Sequence, residues 1–188
     1  MSGLAVVDGL ELGAALRRVL KPGELVADAR GVLRRLPRYF YRVESARRAA
    51  QVRLAEHFTV AEFLNADVRE ARELWDWPRY VPCAVSVLAA HLELFRARAG
   101  ASVHVAANGG YRSPGHAFSS PATPHAWAAA ADVFQIGAER VDDHERIARF
   151  GKLAEEVLPG IHVGQADDHL HLELGYVVVV PRHAPGED

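Results

Sequence analysis

From His169 to Leu174 the chain reads His-Leu-His-Leu-Glu-Leu, and no other stretch limits its folding so tightly. Strict alternation places His169, His171 and Glu173 on one face of a strand and three leucines on the other. The leucine face needs a core to cover it, so the polar face lines a surface or a site. Asp167 and Asp168 stand immediately before, crowding three acids and two histidines into seven residues. Two histidines alone are compatible with hydrogen-bonded structural groups, whereas the added carboxylates point to metal or proton chemistry.

A second group of the same kind precedes this strand. His125 and Asp132 stand in Pro-His-Ala-Trp-Ala-Ala-Ala-Ala-Asp-Val, separated by six residues. Imidazole and carboxylate donors suit zinc, and three protein ligands leave a tetrahedral position open, which is the catalytic arrangement. A purely structural cage would close with four side chains, usually with Cys among them. The chain has one Cys, so a Cys-based cage and a disulfide framework are both excluded. Cys83, between Pro82 and Ala84, is expected to be a small buried hydrophobe.

The hydrophobic period divides the chain. Before Gly100 it is mostly helical: Leu10 to Leu20 is expected as a helix stopped by Lys21-Pro22-Gly23, and Glu24 to Leu36 as another ending at Pro37. Thr59 and Glu62 form a capping box at a third helix start. Val81 to Ala99 reads as a long helix with Val85, Leu88, Leu92 and Phe95 on one stripe, closed by Gly100. After Gly100 the period falls to two. Strands are expected at Ser102 to Ala107, Asp132 to Ile136, His169 to Leu174 and Tyr176 to Val180, with a helix from Asp142 to Val157 between them. Asn108-Gly109-Gly110 reads as a turn, and Pro181 to Asp188 as a frayed tail. Helices first and strands later give an α+β fold: a mainly antiparallel sheet with flanking helices, plus an N-terminal helical extension.

At 188 residues with 49% apolar content, the chain can build one domain, or one domain with an appendage. Its formal charge of -2 conceals an asymmetry, because residues 1 to 56 carry eleven Lys plus Arg against six acids. Eight arginines fall between Arg30 and Arg53, interleaved with Tyr39, Phe40 and Tyr41. Such a segment is either a patch for an anionic polymer or a helical arm whose arginines are solvated or paired with the acidic remainder. No run of eighteen apolar residues and no secretory leader is visible, so the expectation is a protein cytoplasmic as synthesised, with export or release by lysis left open.

His125, six residues, Asp132 and then His169-Leu170-His171, preceded by Gly110-Tyr111-Arg112-Ser113-Pro114, resemble the zinc D-alanyl-D-alanine carboxypeptidase family. That family includes the bacteriophage L-alanoyl-D-glutamate endopeptidases and shares its fold with Hedgehog signalling domains. His57 to Phe63 resembles its usual opening, so the resemblance covers about residues 57 to 180, with 1 to 56 an extension and 181 to 188 a tail. The chain departs from the family's pattern in having Thr123 where Ser is usual, Ala128 where Gly is usual, and Pro124 before the first His. The resemblance implies zinc on His125, Asp132 and His171, a general base at Asp168, and Arg112 near the substrate or its developing oxyanion. It also implies a peptide or peptidoglycan substrate.

The chemistry expected is metal-assisted hydrolysis, with a carboxylate accepting the proton of the attacking water. Asp168 is the first candidate, Glu173 the fallback on the ligand face, and His169 a donor to the tetrahedral intermediate. Arg112 either stabilises the oxyanion or clamps a terminal carboxylate. Trp127 is expected as a groove wall or a core residue, and His104, His116 and His162 as structural or groove-lining groups. The alternative is a zinc-stabilised binding module of the same fold without catalysis.

Overall fold

The computed structural model describes residues 3–117, 119–164 and 166–175. In chain order the elements are β1 (Ala5–Asp8), α1 (Ala14–Leu20), β2 (Leu25–Ala27), β3 (Leu33–Arg35), β4 (Tyr39–Val43), α2 (Ala46–Gln51) and α3 (Val60–Phe63). There follow β5 (Arg79–Pro82), α4 (Val85–Ala99), β6 (Val103–Val105), β7 (Ala130–Ile136), β8 (Glu139–Arg140), α5 (His144–Val157), β9 (His162–Gly164) and β10 (Leu170–Glu173). The fold is α+β and its sheets are antiparallel: β1-β4-β5, the hairpin β2-β3, and a five-stranded sheet ordered β6-β7-β10-β9 with β8 on β7.

The second half follows its periodicity. Leu170, Leu172 and Leu174 are completely buried while His171 and Glu173 are half-buried on the other face. Val85, Leu88, Leu92 and Phe95 form the buried stripe of α4, and Gly100 ends that helix in the left-handed conformation at φ 66°. The helix begins four residues later than its periodicity suggests, because Val81 and Pro82 belong to β5 and pair with β4. At α3, Glu62 reaches back to the Thr59 N–H at 2.5 Å, as the capping box requires. The expected helix from Asp142 begins at His144, capped by Asp143, whose side chain accepts from the Arg146 N–H at 2.8 Å. The strand expected at Tyr176 to Val180 and the tail from Pro181 lie outside the described residues.

The first half corrects the helical reading. Glu24 to Leu36 is not a helix but the β2-β3 hairpin. Its turn is closed by the Asp28 carboxylate, which accepts the N–H groups of Arg30 and Val32 at 2.9 Å each, and by Gly31 at φ 77°. An Asp followed three residues later by Gly supplies the local bonds and the positive φ that a helix would refuse. Nor is the arginine-rich segment a helical arm. Tyr39 to Val43 is the central strand of the first sheet, and α2 alone in that segment is helical. Toward the start of the chain, Gly9–Glu11 is a 3₁₀ turn, so the first α-helix is confined to Ala14–Leu20.

The extension shares its core with the rest of the chain. Leu20, Leu36, Phe40 and Val43 belong to the same buried cluster as Leu92, Phe95, Leu170 and Leu172. Several arginines satisfy acids within the extension: Arg34 pairs with Asp28, Arg38 with Asp8 and Arg42 with Glu44. Cys83 is half-buried rather than fully enclosed, because it follows the end of β5 and precedes α4 instead of lying inside a helix. Among the described residues no helix is long and apolar enough to cross a membrane.

Candidate metal centre

Three ligand groups converge across two neighbouring strands and the turn before them. In the β7-β10 register His171 stands directly opposite Asp132, and β7 is preceded by a 3₁₀ turn, Pro124–Trp127, that carries His125. Ala128 ends this turn at φ 52°, ψ 40°, in the left-handed region where the resembled family usually has Gly. That Cβ costs about 1 kcal/mol of backbone strain. One nitrogen from each of His125 and His171 and one Asp132 oxygen lie within 4.8 Å of one another, so the buried cluster could hold a metal ion.

The donors are already oriented. The His125 Nδ1–H donates to the Gly110 carbonyl at 2.7 Å, which leaves Nε2 free to coordinate, 3.4 Å from Asp132 Oδ1. His171 Nδ1 lies 2.7 Å from that same oxygen, and His169 Nε2 lies 3.3 Å from it. Three imidazoles crowding one carboxylate oxygen leave little lone-pair space unclaimed, a donor set that a divalent cation would satisfy better than protons alone. On the far side, Asp132 Oδ2 is paired with Arg112, whose Nε also donates to the Asn108 carbonyl at 2.5 Å. Arg112 is therefore engaged in orienting the ligand carboxylate.

The environment tunes these groups in opposite directions. Burial raises the Asp132 pKa, but hydrogen bonds from His125, His169 and His171 outweigh it and hold the carboxyl far below the usual range. Burial pulls the His171 imidazolium down, while bonds to Asp132 and Glu173 lift it to about 9. Burial dominates at His125 and lowers its pKa despite Asp132. The Asp132 hydrogen bond raises His169. Glu173 is lowered, chiefly by its bond to His171, and is held as a carboxylate 3.9 Å from His171 Nε2.

Asp168 does not face the ligands directly. Its side chain is 85% exposed and its Oδ1 accepts from His169 Nδ1 at 2.6 Å, so it reaches the cluster through the His169 ring. His169 sits just before the strand begins at Leu170, where the chain is free of ladder geometry. Trp127 is buried, and its indole N–H donates to the Arg35 carbonyl at 2.9 Å, docking the β2-β3 hairpin on the turn that carries His125. Of the remaining histidines, His104 is exposed on β6 and bonds Ser102, His116 is buried beside Ser119, and His162 stands opposite Glu173 on β9.

Two supports were not legible in the residue pattern. Glu70 is buried and accepts from both the Ser113 hydroxyl at 2.5 Å and the Ser113 N–H at 3.0 Å, bracing the loop that carries Gly110 and Arg112. Gly164 lies opposite His171 on β9, and a Cβ there would meet the imidazole Cδ2 at 2.5 Å. A glycine in a strand is itself a sign of close approach, but nothing in the sequence says what approaches. Compared with protein-family models, curated proteins and solved structures, the chain matches none.

Proposed function

We propose that this protein is a zinc-dependent metallopeptidase of the D-alanyl-D-alanine carboxypeptidase type, with the Hedgehog/DD-peptidase fold, acting on short peptides. D-amino-acid-containing stem peptides of peptidoglycan are its most fitting substrates. The observation that carries the reading is the buried His125, Asp132 and His171 cluster, preset by the Gly110 carbonyl and Arg112. Zinc held by these three groups would supply Lewis acidity to a water and to the peptide carbonyl.

The chain's own residues supply the proton handling. Asp168 accepts from His169 Nδ1–H and so fixes the tautomer whose Nε2 faces the cluster. With zinc held at the cluster, this pair would take up the proton of the attacking water and return it to the leaving amine. Glu173 is the second carboxylate on the ligand face, kept ionised by His171. Arg112 holds Asp132 in place, and its charge adds to the positive field at the developing oxyanion.

One observation favours a second reading, a zinc-stabilised binding module without catalysis: the Asp168 carboxylate points largely to solvent. Mass spectrometry of a muropeptide and dipeptide panel incubated with zinc-loaded protein separates the two. Hydrolysis that disappears on chelation is expected, with Asp168→Asn retaining zinc and losing turnover by about two orders of magnitude. A stoichiometric zinc protein that cleaves nothing in the panel leaves the binding module standing.

A further inference from the structure

The β2-β3 hairpin does more than cover the core, because it forms one side of a cleft beside the candidate metal centre. The cleft has a volume of about 430 Å³, within the range of small-ligand sites. Asp28, Arg30 and Arg34 line it from the hairpin, and Thr123, Pro124 and Glu173 line it from the metal-bearing side. Pro124 adjoins the candidate ligand His125, and Glu173 contacts His171. A molecule in this cleft would therefore lie next to the ligands.

The hairpin is held in position at both its turn and its base. Asp28 fixes the turn through the backbone N–H groups of Arg30 and Val32, and the Trp127 indole ties the Arg35 carbonyl to the metal-bearing turn. The charges in the cleft are unequally used. Arg34 is matched by Asp28 through contacts of 3.3 and 3.2 Å, whereas the exposed Arg30 guanidinium has no hydrogen-bond or ion-pair partner among the described residues. Two arginines against the carboxylates of Asp28 and Glu173 leave no net positive charge to hold a polyanion. One unpaired planar fork suits one carboxylate, which it can bind through two parallel N–H···O bonds.

We propose that Arg30 is a specificity-determining residue that anchors a single carboxylate of the peptide substrate, in a cleft completed by the N-terminal hairpin. This rests on the peptidase reading for its choice of ligand, but its test does not depend on hydrolysis. The probes are N-acetyl-alanyl-D-glutamate and its uncharged analogue N-acetyl-alanyl-D-glutamine amide, titrated calorimetrically into metal-free and zinc-loaded full-length protein.

In both forms the acidic peptide should bind about tenfold or more tightly than the neutral one, and the preference should shrink as salt rises. Arg30→Gln should abolish the preference without changing zinc content, Arg30→Lys should keep part of it, and Arg47→Gln, outside the cleft, should keep all of it. Arg30 is exposed and contributes only its backbone N–H to the turn, so these variants should fold normally. Equal binding of the two peptides, binding of neither, or an undiminished preference in Arg30→Gln would overturn the proposal. Tighter binding of inorganic phosphate than of the acidic peptide would overturn the carboxylate assignment. If the Arg30-dependent preference is present but zinc-loaded protein cleaves no peptide, the peptidase reading falls and the anchor stands.

Discussion

Gly164→Ala tests whether the candidate metal centre depends on the close approach of β9 to the His171 ring. The ideal Cβ would lie 2.5 Å from Cδ2, 3.1 Å from Cγ and 3.3 Å from Cβ of His171, where ordinary contacts begin near 3.4 Å. The ring must therefore withdraw by about 1 Å, a shift that its 2.7 Å contact between Nδ1 and Asp132 cannot absorb. The obstacle is a side chain with an outlet, since His171 is 20% exposed, so the sheet itself need not open. Displacing a group that orients a ligand commonly lowers metal affinity 10- to 100-fold, or about 1.4 to 2.8 kcal/mol. The metal-free fold should lose only about 1 to 2 kcal/mol. Zinc affinity measured against a competing chelator, alongside circular dichroism and thermal melts, reads both quantities. Gly13→Ala, where a Cβ meets nothing within 4 Å, serves as the control. A folded Gly164→Ala protein with native zinc affinity would refute the argument.

The native protein should bind about one equivalent of zinc by elemental analysis, and His125→Ala, Asp132→Ala or His171→Ala should each lose it; tight zinc in the triple variant would mean other ligands. Ala128→Gly should raise the melting temperature, with a gain of up to about 1 kcal/mol, because it relieves the φ of 52°; a loss greater than that would show that the methyl packs more than it strains. In metal-free protein, His171 has a folded pKa raised to about 9 from 6.5, so its stabilisation is complete below pH 6.5 and lost as pH climbs through 9. Unfolding free energy should fall over that window by no more than about 3 kcal/mol, and the melting temperature with it, while zinc-loaded protein, whose histidines are already deprotonated, should hold steady; a flat metal-free profile contradicts the His171 and Asp132 coupling. Trp127→Phe should cost about 1 kcal/mol by removing the bond to Arg35 and should weaken binding in the cleft more than zinc binding; the opposite order would separate the hairpin from the cleft.

What the chain's order of residues determined by itself was whatever depended on local period or local capping. Alternation from His169 to Leu174 sets which side chains share a face, and the 3.6 spacing of Val85, Leu88, Leu92 and Phe95 sets which face of α4 is buried, because both follow from backbone geometry within one element. The imidazole and carboxylate donors were legible as residue types, and it was the family resemblance rather than local period that singled out His125, Asp132 and His171 among them. The hairpin at Leu25 to Arg35 was hidden by its short strands: three residues each are too few to establish a period, and the Asp28 to Gly31 turn decides the matter through bonds only a folded turn makes. Only tertiary structure could place Asp168 behind His169, bring Gly164 under His171, set Glu70 beneath Ser113, and carry Arg30 from the N-terminal hairpin to the cleft beside Glu173. Those contacts join residues distant in the chain or depend on where a strand starts, and their energies come from packing and desolvation that no single segment possesses.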